Sequence, residues 1–129
     1  MKNKEVLFEM FKIYGNPHID WMGFEVTKRN FITYHHIKEE RIGGKETVQN
    51  GALLTKSSHQ KLHKHERNNP ELYNEYQYWF KIMNEMECPP TDEIMAIIYS
   101  LKNRLKKALE VDRIIKKSEK TYYHSSYKK

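Results

Sequence analysis

The clearest signal along the chain is the spacing of its apolar side chains. Val6, Leu7, Met10 and Phe11 recur at helical spacing and stop at Gly15-Asn16-Pro17, which predicts a short amphipathic helix over residues 3–13. Residues 18–30 are mixed, with Trp21, Met22 and Phe24 as core candidates. Residues 31–37 (FITYHHI) are rich in β-branched and aromatic side chains and predict a strand. The polar stretch 38–49 contains Gly43-Gly44, a pair that permits a tight turn or a close backbone approach. Ala52-Leu53-Leu54-Thr55 suits a second strand, and Ser57 or Ser58 offers an N-cap for a helix running to about residue 67.

Asn68-Asn69-Pro70 interrupts the pattern. Residues 71–86 carry Leu72, Tyr73, Tyr76, Trp79, Phe80 and Met83 on a broad apolar face, followed by a break at Cys88-Pro89-Pro90. Thr91, followed by Asp92 and Glu93, starts a last helix. Its stripe of Ile94, Ile97, Ile98, Leu101, Leu105 and Leu109 is packing surface, and the helix is expected to reach about residue 117. Residues 118–129 read as a frayed, lysine- and tyrosine-rich tail. The expected architecture is α+β: a short antiparallel hairpin plus helix, flanked by one N-terminal and two C-terminal helices.

At 129 residues and 38% hydrophobic content the chain supports one modest core, so residues 1–117 are expected to form a single domain. A formal net charge of +6 favours a polyanionic partner, although surplus surface lysine accounts for it equally well. The single cysteine, Cys88, excludes an intramolecular disulfide and any paired-cysteine zinc knuckle, and fits a reducing, cytoplasmic setting. No signal peptide and no long apolar run are evident, so no membrane partner is expected.

Seven histidines change this picture, because four of them form two tight pairs. His59 and His63 stand at i, i+4 on the expected helix, which lets two imidazoles reach one metal ion. Taken alone, such a pair is more often two solvated surface histidines. His35 and His36 are neighbours on a strand, where adjacent side chains point to opposite faces. They serve one site only if the strand bends or ends there.

The combination of His35-His36-Ile37, Gly43-Gly44, Asn50-Gly51, Leu53-Leu54 and His59-x3-His63 resembles the HNH (ββα-metal) endonuclease motif over residues 31–67. It is most similar to the histidine-rich form found in colicin-type DNases and many phage HNH proteins. The resemblance implies that His36 is the general base that activates water, a task suited to an imidazole with a pKa of about 6.5. It implies that Asn50 pins the loop and orients that base, and that His35, His59 and His63 ligate one divalent metal ion. Three imidazoles favour zinc or nickel, although many relatives work with magnesium or manganese. The implied reaction is hydrolysis of a DNA phosphodiester, leaving a 5′-phosphate.

Arg41 is either a phosphate clamp or a solvated loop arginine, and Glu66 either orients a ligand from behind or pairs with a surface lysine. The basic end, including Lys102, Arg104, Lys106, Lys107, Arg113, Lys116, Lys117 and Lys120 with Tyr122, Tyr123 and Tyr127, either grips nucleic acid or is a solvated face and tail. The aromatic cluster from Tyr73 to Trp79 reads as core or a homodimer interface.

Two features depart from the family. Many relatives brace the motif with two CxxC pairs, which this chain lacks, and Thr33 stands where some colicin-type relatives place an acidic residue near the base. The alternatives are a DNA-binding, regulatory or inhibitor protein that keeps the frame without catalysis, and a fold in which zinc is purely structural.

Overall fold

The computed structural model describes the backbone of residues 3–127 and the side chains of residues 4–119. Among the described residues the architecture is α+β, with one two-stranded antiparallel sheet and four α-helices. Helix α1 (Asn3–Tyr14) buries Val6, Met10 and Tyr14, which lie at successive i, i+4 positions on one face. It ends where Gly15 takes φ +80° and its N–H donates to the Phe11 carbonyl, a left-handed C-terminal cap.

Strand β1 (Ile32–His36) pairs with β2 (Gly51–Thr55), with Ile32 opposite Thr55 and His36 opposite Gly51. The intervening loop holds two 3₁₀ turns, Glu40–Ile42 and Val48–Asn50. Both properties expected of the glycine pair are present. Gly43 sits at φ +94°, and a Cβ on Gly44 would lie 1.8 Å from the Lys38 carbonyl oxygen.

Helix α2 (Lys56–Asn68) follows β2 without a linker. Its N-cap is Thr55 rather than Ser57 or Ser58, because the Thr55 Oγ1 accepts from the Ser58 N–H while also donating to the buried Asp20 carboxylate. Asp20 anchors the segment before β1: its carboxylate also accepts from the N–H groups of Met22, Phe24 and Thr55. Helix α3 (Pro70–Glu85) starts with proline in its first turn, where no N–H is required.

Helix α4 (Asp92–Tyr127) begins at Thr91, whose hydroxyl accepts from the Ile94 N–H. It runs to Tyr127 instead of ending near 117, since no proline or glycine follows Pro90 to stop it. The side chains of Lys120, Tyr122, Tyr123 and Tyr127, expected in the basic tail, lie outside the described residues. Among the described residues, no helix is long and apolar enough to cross a membrane.

Trp21, Leu53, Leu54, Leu62, Tyr76, Phe80, Ile98 and Leu105 come together in one core, so the sheet, the loop before it and all three later helices share it. Tyr73 and Tyr76 belong to this core and Trp79 packs against it, which assigns these members of the α3 aromatic cluster to packing, while Tyr78 is exposed.

Candidate metal centre and its cleft

Alternation along β1 places Thr33 and His35 on one face of the strand and Tyr34 and His36 on the other. The inward face meets α2 and α3. There the His35 ring is only 2% exposed, edge-on to Phe80 of α3 at 5.7 Å and to His59 of α2 at 5.2 Å. One helical turn on, His63 stacks against His59 at 4.7 Å, with His35 6.1 Å away. The three expected ligands converge: one nitrogen from each of His35, His59 and His63 lies within 4.8 Å of the others. A tetrahedral ion bound at about 2.1 Å separates two imidazole nitrogens by roughly 3.4 Å, so small ring rotations bring this set to bonding distance.

Each ring also has a polar neighbour. The His35 Nε2 lies 2.8 Å from Gln77 Oε1, the His59 Nδ1 lies 3.4 Å from the Thr33 hydroxyl, and the His63 Nδ1 lies 3.6 Å from the Glu66 carboxylate. Burial pushes the His35 pKa down to about 4, against a partial upward pull from Gln77 and with help from its histidine neighbours. Burial, then His63 and His36, lowers that of His59. Neutral rings carry the lone pairs that a metal ion requires, and burial favours that form at His35 and His59.

His36 reaches the same cleft from the opposite face of β1. It can do so because the strand ends at His36, the condition its adjacency to His35 demanded. Its ring stands edge-on to Tyr34 at 4.8 Å. Tyr34 is itself fixed by its hydroxyl, which donates to the Thr47 carbonyl at 2.7 Å. Asn50 pins the loop that follows: its side chain accepts from the Lys38 N–H and donates to the Lys38 and Lys45 carbonyls, at 2.8 to 3.0 Å. Its backbone carbonyl accepts from the Ile37 N–H. Its hold on His36 therefore runs through the backbone of the next two residues.

The cleft encloses about 830 Å³ and is lined by His35, His36, Arg41, His59, His63 and Glu66, among others. Arg41 is largely exposed and pairs with Glu39 and, at 3.7 Å, with Glu66. Glu66 thus joins the loop arginine to a candidate ligand. His65 turns away from this face; it is buried and accepts at Nδ1 from the Asn69 side chain. A slightly larger hollow of about 880 Å³ lies between Lys64 and the α4 residues from Lys106 to Glu119. No histidine lines it, so the chemistry points to the smaller cleft.

Gln77, Tyr34 and Tyr73 support the site although the sequence does not mark them as site residues; Tyr73 reads there as core or interface. Tyr34 was recoverable, being two residues before His36 on the same strand face. Gln77 left no signal: it lies 42 residues from His35 on an amphipathic helix, where glutamine reads as surface. Comparison with protein-family models, curated proteins and solved structures returns no match for this chain.

Proposed function

We propose that this chain is a metal-dependent endonuclease of the HNH (ββα-metal) kind that hydrolyses DNA phosphodiester bonds, with His36 as general base. The observation that carries this reading is the convergence of His35, His59 and His63 in a cleft that also receives His36. A purely structural metal site has no use for a fourth imidazole at its open side.

In this reading His35, His59 and His63 hold a single divalent ion, and their all-nitrogen donor set fits zinc or nickel better than magnesium. When bound, such an ion supplies positive charge to the phosphate and to the leaving oxygen. The chain's own groups do the rest. His36, braced by Tyr34, takes the proton of the attacking water at a ring nitrogen and releases it to solvent through the open cleft. Asn50 keeps the 38–50 loop closed, so that the backbone after His36 does not drift. Arg41 is poised to meet a phosphate by exchanging its carboxylate partners, Glu39 and Glu66, for the anion. The net charge of +6 favours a polyanionic partner such as DNA.

The test is plasmid nicking with Mg²⁺, Mn²⁺, Ni²⁺ and Zn²⁺ in turn, with a chelator control and with His36→Ala. Metal-dependent nicking that falls by about 10²–10⁴-fold in His36→Ala, with metal binding retained, is the expected outcome. Nicking that survives the substitution removes His36 from its role. Tight metal binding without nicking in any metal replaces the enzyme with a binding or zinc-stabilised protein.

A further inference from the structure

We infer that Gln77 fixes His35 as its Nε2–H tautomer, leaving Nδ1 as the only atom through which His35 can ligate a metal ion. The inference rests on the metal centre proposed above and adds the identity of the ligating atom and the residue that selects it.

The argument is one of donors and acceptors. The Ile37 carbonyl can only accept, and the Gln77 amide atom 2.6 Å from it must therefore be the nitrogen. The same nitrogen lies 3.3 Å from the Tyr73 hydroxyl. The other atom of that amide is the oxygen, and it faces His35 Nε2 at 2.8 Å. An oxygen there can only accept, so Nε2 carries the proton. Rotating the amide by half a turn would set two oxygens 2.6 Å apart, and the ring, at 2% exposure, has almost no water to turn to instead.

The same bookkeeping applies to His59. The Thr33 hydroxyl donates its one proton to the Leu54 carbonyl at 2.8 Å, so towards His59 Nδ1 it can only accept. His59 is thereby left with Nε2 as its lone pair. The predicted coordination is mixed: Nδ1 from the strand histidine and Nε2 from the helix histidine. Gln77 is a positioning residue in this scheme, acting on the ion only through His35, as the partners behind ligating histidines do in general.

Long-range ¹H–¹⁵N spectra of the ¹⁵N-labelled, metal-free protein read the tautomers directly. The expected spectrum has a pyridine-like Nδ1 and a pyrrole-like Nε2 for His35, and the reverse for His59. A protonated Nδ1 on His35 overturns the inference. Adding ¹¹³Cd²⁺ should then couple the ion to Hε1 alone for His35, and to both Hε1 and Hδ2 for His59; coupling to both protons of His35 overturns it equally. Gln77→Met, which keeps the length of the side chain and removes its polar atoms, is expected to give mixed His35 tautomers and about 10–100-fold weaker metal binding. If the metal-free spectrum is as expected but cadmium and zinc leave it unchanged, the metal centre fails while the tautomer assignment stands, so the two failures are distinguishable.

Discussion

His35 gives the stability of the protein a pH dependence. Its pKa is pushed down to about 4 by burial, whereas an imidazole in the unfolded chain titrates near 6.5. Above pH ~6.5 neither state binds the proton, and stability does not depend on this group. Between about pH 6.5 and 4 the unfolded chain takes up a proton that the folded protein refuses, so stability falls as the pH falls. The loss is on the order of 3 kcal/mol for the metal-free protein, and burial of His59 adds in the same direction. Urea midpoints in the presence of a chelator should drop steadily from pH 7 to pH 4; a flat profile would mean that the ring is not held neutral. Gly44 makes the second prediction at this scale. Its missing Cβ is the reason the loop can close against the Lys38 carbonyl, so Gly44→Ala must open the loop, whereas Gly43→Ala meets only the left-handed penalty of about 1–2 kcal/mol. Thermal denaturation should rank Gly44→Ala as the more damaging of the two. The glycine pair was legible in the sequence as a loop device, but which glycine does which task depends on where residue 38 comes to lie.

Between elements, the junction of β2 and α2 carries the most consequence for the site. Thr55 ends the strand, caps the helix through Ser58 and donates to Asp20. The His59/His63 pair begins one turn later, so the aim of both rings depends on this cap. Thr55→Val keeps the shape, removes the cap and leaves a buried carboxylate short of a donor. A destabilisation on the order of 2–4 kcal/mol is expected, together with weakened metal binding, measurable by chemical denaturation and by titration with Zn²⁺. The existence and order of the two strands and the four α-helices were readable from the pattern of apolar residues, whereas the two 3₁₀ turns of the polar 38–50 loop were not. The N-cap was not: two serines follow Thr55, and all three are good caps by residue type. What decides among them is Asp20, brought in by the segment before β1. The length of α4 went the other way, for the polar, lysine-rich composition after Ser118 reads as frayed although nothing in it breaks a helix.

For the whole molecule, the candidate ligands come from two elements that pack on each other, β1 and α2, while α3 supplies Phe80 and Gln77 behind His35. An ion that ties strand to helix binds the folded state and not the unfolded chain. Zinc at a free concentration 100 times its dissociation constant should therefore add about 2.7 kcal/mol of stability, seen as a rise in Tm that a chelator reverses. Substituting His59 or His63 by alanine should abolish the rise. A Tm indifferent to every divalent ion would remove the metal centre altogether. Apolar packing from α1, α3 and α4 braces the hairpin and α2, and the single, half-buried Cys88 leaves no cysteine pair to do so through a metal.

By itself the sequence determined the α+β element order, the hairpin-to-helix unit at residues 31–67, and the histidines worth watching, because periodicity and side-chain chemistry are local properties. Only the tertiary structure decided which of those histidines share a cleft, that His35 is sealed in while His36 stays open, and that Gln77, Thr33 and Glu66 stand behind the rings. The reason is physical: burial and hydrogen-bond direction are set by what arrives from distant parts of the chain, and no spacing along one segment encodes them.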